Sequence, residues 1–185
     1  LCKPPCNIPT SGRFTISQDC IQATQINVVG FLEVVGIPSA DGRLPKVHGG
    51  GSNRIFYVHG GELVLESLEL TGGVANVNIN SHSGGAIKCD GMLKLEKCVL
   101  DNNVGGHGGA VLIGRGTLVS VDTIYSNNVA RSSYTNYPPG IGGAIRSYED
   151  GALERHIYIL GQGSSFTGNK LVVSESETKS GEAIS

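Results

Sequence analysis

The residues with the most evident chemistry are five cysteines, and three of them, Cys2, Cys6 and Cys20, fall within the first twenty positions, beside Pro4 and Pro5. No helix or strand pattern runs through that stretch. A thiol pair there reads as a staple, Cys20 bridged to Cys2 or to Cys6 in an oxidising compartment. Cys89 and Cys98, nine residues apart, are a second candidate pair. They can bridge only if the fold brings their Cα atoms within about 7 Å; otherwise Cys98 is a free thiol in a small apolar slot. Zinc binding needs closely spaced pairs, and neither Cys-x2-Cys nor His-x3-His occurs. His82 and His107, 25 residues apart, could stack as a ladder, yet with no third ligand they read as turn residues and no metal is expected. Asp90, Asp101 and Asp122 lie in separate segments, unlike the clustered carboxylates that calcium requires. Tyr134, Tyr137, Pro138 and Pro139 form a distinct loop on an aromatic-poor chain, a candidate surface for sugar rings or a protein partner. No catalytic residue and no cofactor emerge from this pass.

The chain that must position these groups has 185 residues, one domain's worth, with 28 glycines, no Trp and one Met. Its aliphatic residues recur throughout, and no strict Gly-X-Y period exists. That composition suits many short strands joined by tight turns. The formal net charge of −2 leaves no basic footprint for nucleic acid. No apolar run approaches the roughly 18 residues that a membrane span needs.

Two words recur. The first is Gly-Gly-Ala-aliphatic, at Gly84-Gly85-Ala86-Ile87, Gly108-Gly109-Ala110-Val111 and Gly142-Gly143-Ala144-Ile145. The second closes each unit and ends in Asn: Leu100 to Asn103, Tyr125 to Asn128 and Phe166 to Asn169. The openings are 24 and then 34 residues apart, a base period plus an insertion. Residues 62–70 align without gaps on residues 92–100, so Leu63, Leu65, Leu68 and Leu70 fall on Leu93, Leu95, Cys98 and Leu100. Alternation with period two predicts strands whose inner face holds these residues while Lys94, Glu96 and Lys97 face water. The third unit, Gly116 to Tyr125, keeps the alternation less cleanly.

Each unit is too small to bury its own apolar face, and stacking solves that. The expected fold is all-β, a right-handed parallel β-helix of about six coils, one per about 24 to 30 residues. It divides into an irregular Cys-rich cap at 1–22 and the helix proper at 23–185. Paired glycines are expected to supply positive φ and close coil-to-coil approach. The terminal Asn of each unit is expected in left-handed turn geometry, bonding along the stack. A last partial word, Gly181-Glu182-Ala183-Ile184, opens a further coil. The expectation there is that the chain continues or that another subunit stacks on the end.

The two words resemble the repeat motifs of the chlamydial polymorphic outer-membrane protein passenger domains, with related repeats in secreted algal and protist proteins. Phe166–Asn169 matches the second motif in full, the other closings match with substitutions, and the likeness spans about residues 55–185. It implies a secreted or cell-surface scaffold with structural or adhesive duty, carrying protein or glycan partners on its loops within a larger extracellular assembly. An alternative is a carbohydrate-active enzyme, lyase or hydrolase, with a site on one face. Gly106-His107-Gly108 is similar to one element of the polygalacturonase signature, but the other elements are missing, which favours His107 as a turn residue. A second alternative is a structural subunit of an intracellular complex.

Overall fold

The computed structural model describes residues 3–75, 83–132, 143–147 and 156–173. Cys2, Tyr134, Tyr137, Pro138, Pro139, Gly142, His82 and the word at 181–184 lie outside them. Among the described residues all regular structure is β, arranged as six successive coils.

The first coil runs through β1 (Gly12–Ile16), β2 (Cys20–Ile21) and β3 (Ile26–Val28). The second comprises β4 (Phe31–Gly36), β5 (Lys46–His48) and β6 (Phe56–Val58). The third comprises β7 (Glu62–Glu66), β8 (Glu69–Thr71) and β9 (Ile87–Cys89). The fourth adds a short side: β10 (Met92–Glu96), β11 (Val99–Asp101), β12 (Val104–Gly105) and β13 (Val111–Ile113). The fifth keeps it, with β14 (Thr117–Val121), β15 (Ile124–Ser126), β16 (Val129–Ser132) and β17 (Ile145–Ser147). The sixth contains β18 (His156–Leu160), β19 (Ser165–Thr167) and β20 (Lys170–Val173). Every pairing is parallel, between one coil and the next. The strands make a first sheet β1-β4-β7-β10-β14-β18 and a second, β2-β5-β8-β11-β15-β19. A third sheet is β3-β6-β9-β13-β17, and a short fourth is β12-β16-β20. The molecule is a parallel β-helix.

Register explains the core. One inward column of the first sheet is Leu32, Leu63, Leu93, Leu118, Ile157, and the next is Val34, Leu65, Leu95, Ser120, Ile159. The second sheet stacks Cys20, Val47, Leu70, Leu100, Tyr125, Phe166. The third stacks Ile26, Phe56, Ile87, Val111, Ile145. Leu63, Leu65, Leu93, Leu95, Cys98 and Leu100 are buried, while Lys94, Glu96 and Lys97 are exposed, as the alternation predicts. The blemish in the third unit is a paired exchange: Ser120 replaces an inward Leu, and Tyr125 replaces Leu100. Their hydroxyls hydrogen-bond at 2.8 Å inside the core, so neither is left unsatisfied. Burial pushes the Tyr125 phenol well above its ordinary pKa. Coil length is less regular than expected, since successive registers advance by 20, 31, 30, 25 and 39 residues, from Gly12↔Leu32 to Leu118↔Ile157. The extra length falls in corners, where it does not disturb pairing.

Two turn expectations are corrected. Among the described word glycines, Gly84, Gly85, Gly108, Gly109 and Gly143 have no positive φ. Close approach alone excludes a side chain from them. A Cβ at Gly85 would stand 2.3 Å from the Gly109 oxygen, and one at Gly109 would stand 1.9 Å from the Gly143 oxygen. The Ala110 oxygen beside them accepts both the Ala86 and Ile87 amides, at 2.9 and 3.0 Å. The left-handed residue at the closing corner is the one before each terminal Asn: Asn102 at φ 53°, Asn127 at φ 52° and Gly168 at φ 65°. The terminal asparagines turn inward and form a ladder. Asn103 Nδ2 donates to Asn128 Oδ1 at 3.0 Å, and Asn128 Nδ2 donates to Asn169 Oδ1 at 2.9 Å. Their amides also reach the chain of the coil before, Asn128 to the Leu100 oxygen at 2.8 Å and Asn169 to the Tyr125 oxygen at 2.8 Å.

Residues 12–21, expected to be irregular, form β1 and β2 and so begin the sheets. The disulfide is Cys6–Cys20, with Cα atoms 4.9 Å apart. It holds Pro4–Cys6 against the free edge of β2, where Cys6 N–H donates to the Ile21 oxygen at 3.0 Å and Ile21 N–H to the Pro4 oxygen at 2.8 Å. Cys89 and Cys98 are not a second bridge; both are free and buried. They face the interior from different walls. Cys89 continues the Val58–Ile113 column of the third sheet. Cys98 sits at the corner between the first two sheets, its Sγ 3.4 Å from the Leu65 oxygen.

Candidate functional site

Each coil passes from the third sheet back to the first through a short turn that ends in glycine: Gly30, Gly61, Gly91 and Gly116. Stacking dictates three of them. A Cβ at Gly61 would lie 2.3 Å from the Gly30 oxygen, one at Gly91 2.2 Å from the Gly61 oxygen, and one at Gly116 1.9 Å from the Gly91 oxygen. Gly30 instead faces open space. Together they floor a groove of about 580 Å³ that crosses four coils. The floor's backbone groups are engaged along the stack: the amides of Glu62, Met92 and Thr117 donate to the oxygens of Gly30, Gly61 and Gly91 at 2.8, 2.9 and 2.9 Å.

One wall is the outermost row of the first sheet, where Phe31, Glu62, Met92, Thr117 and His156 stand in register. Phe31 is 41% exposed and Val29 beside it 71%, a wet apolar edge. Glu62 Oε1 pairs with Lys94 Nζ at 3.0 Å. At the far end, the rings of His156 and Tyr158 lie nearly parallel, centroids 5.9 Å apart.

On the other side, His59 and Asp90 come just before the floor glycines in sequence, and Tyr57 joins them. Its Oη donates to Asp90 Oδ2 at 2.9 Å and stands 2.8 Å from His59 Nδ1. Lys88 Nζ lies 4.9 Å over the Tyr57 ring and 3.6 Å from Asp90 Oδ2, and the Arg115 amide donates to Asp90 Oδ1 at 3.2 Å. Burial, reinforced by Asp90, pushes the Tyr57 hydroxyl up to about 12. At neutral pH it therefore keeps its proton and serves as a fixed donor, not as a base.

The residues singled out from sequence do not converge. Asp90 belongs to the trio just described. Asp101 accepts from Ser126 Oγ at 2.7 Å and Asn127 Nδ2 at 2.9 Å, and Asp122 accepts the Gly163 amide at 2.9 Å. Among the described residues no three His, Cys, Asp or Glu side chains gather as metal ligands. His107 lies in a turn, its amide donating to the Ser83 oxygen at 3.2 Å and its Nδ1 touching the Arg146 guanidinium. Sequence reasoning missed the groove. Its signal was available in the glycines that precede each strand of the first sheet, at offsets that follow the registers. The Tyr57–His59–Asp90 trio had no such signal, because only the pairing of β6 with β9 brings Tyr57 beside Asp90.

Fold and groove together define a β-helical scaffold with a corner cleft along its axis. Compared with known proteins, the chain matches no family model, no curated protein and no solved structure.

Proposed function

We propose that this chain is a non-enzymatic β-helical module of a secreted or cell-surface protein, serving structure or adhesion within a larger extracellular assembly and recognising protein or glycan partners. The observation that carries the reading is the Cys6–Cys20 bridge, which staples the first coil and suits an oxidising compartment. The resemblance of the two repeat words to polymorphic outer-membrane protein passengers points the same way. So does the economy of the stack, in which the described polar groups of the ladder and corners serve one another. Tyr57, the hydroxyl best placed beside the groove, holds its proton too firmly for base catalysis near neutral pH.

The test is mass spectrometry of native material, with and without reduction, combined with protease shaving of intact source cells. The expected result is a peptide pair joined through Cys6 and Cys20, released from the cell exterior. Fully reduced thiols in material confined to the cell interior would sink the reading in favour of an intracellular structural subunit.

A further inference from the structure

We propose that the glycine-floored groove binds a neutral, linear glycan laid along the stack axis, with Phe31 packing on one end of it and the His156–Tyr158 pair on the other. This assignment rests on the reading of the chain as a binding module and names its ligand and site. The groove is a track and not a pocket: floor and wall repeat once per coil, about every 4.8 Å. Phe31 and His156 are four register steps apart in one row, roughly 19 Å at that spacing. A pyranose linked through its 1- and 4-positions advances about one such step per ring, so successive sugars meet equivalent surroundings.

An extended peptide fits less well, for two reasons. It advances about 3.3 Å per residue, out of step with the coils. It also needs unpaired backbone groups to add as a strand, whereas the groove's amides at Glu62, Met92 and Thr117 are already bonded to floor oxygens. Charge selects the neutral class of glycan. The one ionised side chain lining the groove is Glu62, which Lys94 already pairs, and Asp90 adds a second negative charge behind the floor. A uronate chain would be repelled by both. Aromatic faces with a polar neighbour are the surfaces on which the C–H faces of sugars pack. Phe31 at 41% exposure and Tyr158 at 48% offer them, with the Thr117 hydroxyl and the Glu62 carboxylate available for sugar hydroxyls.

The experiment is native affinity electrophoresis of the full chain in gels containing glucomannan, hydroxyethyl cellulose or polygalacturonate, followed by calorimetric titration with the matching neutral hexasaccharides. Retardation is expected in at least one neutral gel and not in polygalacturonate. Phe31→Ala and Tyr158→Ala should each weaken binding about tenfold with melting temperature unchanged. Gly30→Trp, whose side chain enters open space, should abolish it; if that variant does not fold, the Phe31→Ala and Tyr158→Ala pair decides. No retardation in either neutral gel, preference for polygalacturonate, or binding indifferent to these substitutions would each overturn the groove assignment. The module reading is judged separately, by the disulfide and surface-shaving result.

Discussion

Asn128 shows how one side chain links three coils. Its Oδ1 accepts from the backbone and side chain of Asn103, both at 3.0 Å, and its Nδ2 donates to Leu100 and Asn169. Replacing it with Leu strands several buried partners, each worth about 1–3 kcal/mol when left unsatisfied. Asn128→Leu is therefore expected to cost about 3 kcal/mol or more in urea unfolding, and a cost below 1 kcal/mol would show the ladder to be ornamental. The buried thiols make a second case. Burial pushes Cys89 up to about 11 and Cys98 up to about 12. A thiol whose folded pKa lies above its unfolded value near 8.5 adds stability that is whole below that value and is lost as pH rises through the folded pKa. Stability should fall between about pH 9 and 11, at up to roughly 1.4 kcal/mol per unit for each thiol. The Cys89→Ala, Cys98→Ala double variant should flatten that slope relative to the parent. Neither thiol should react with maleimide at pH 7 until the protein is unfolded.

At the scale of the element, coil contacts decide which glycines matter. Gly109→Ala places a methyl 1.9 Å from the Gly143 oxygen, while Gly30→Ala meets nothing within 4 Å. The first should lower the melting temperature by many degrees and the second should leave it nearly unchanged; equal effects would refute the packing argument. The Cys6–Cys20 bridge closes a loop with a sequence separation of 14. On chain-entropy grounds its removal by Cys6→Ser, Cys20→Ser should cost about 3 kcal/mol, measured by urea titration against the oxidised parent.

Across the whole molecule, protection should track position in the stack. Coils three and four have neighbours on both sides and inward residues at or near zero exposure. In the sixth, Ile157, Ile159 and Phe166 are 39, 37 and 51% exposed, and Phe166 covers Tyr125 as the last ring, stacked at 4.7 Å. A solenoid with nearest-neighbour coupling opens from its ends. Amides of β18 and β19 should exchange markedly faster than those of β10 and β11; uniform exchange would indicate one all-or-none unit.

The sequence by itself determined the strands, their inward residues and the number of coils, because period-two alternation and repeated words are local signals. Leu63 and Leu93 align in one dimension as they do in three. It did not determine which thiols bridge, which residue in a closing corner turns left-handed, or that Tyr125 answers Ser120. Those depend on which side chains meet across the interior or at a corner. The groove was beyond it for the same reason: its floor is four glycines from four coils, brought into line only by registers that advance unevenly. Tyr57, His59 and Asp90 likewise come together only through the lateral pairing of neighbouring coils.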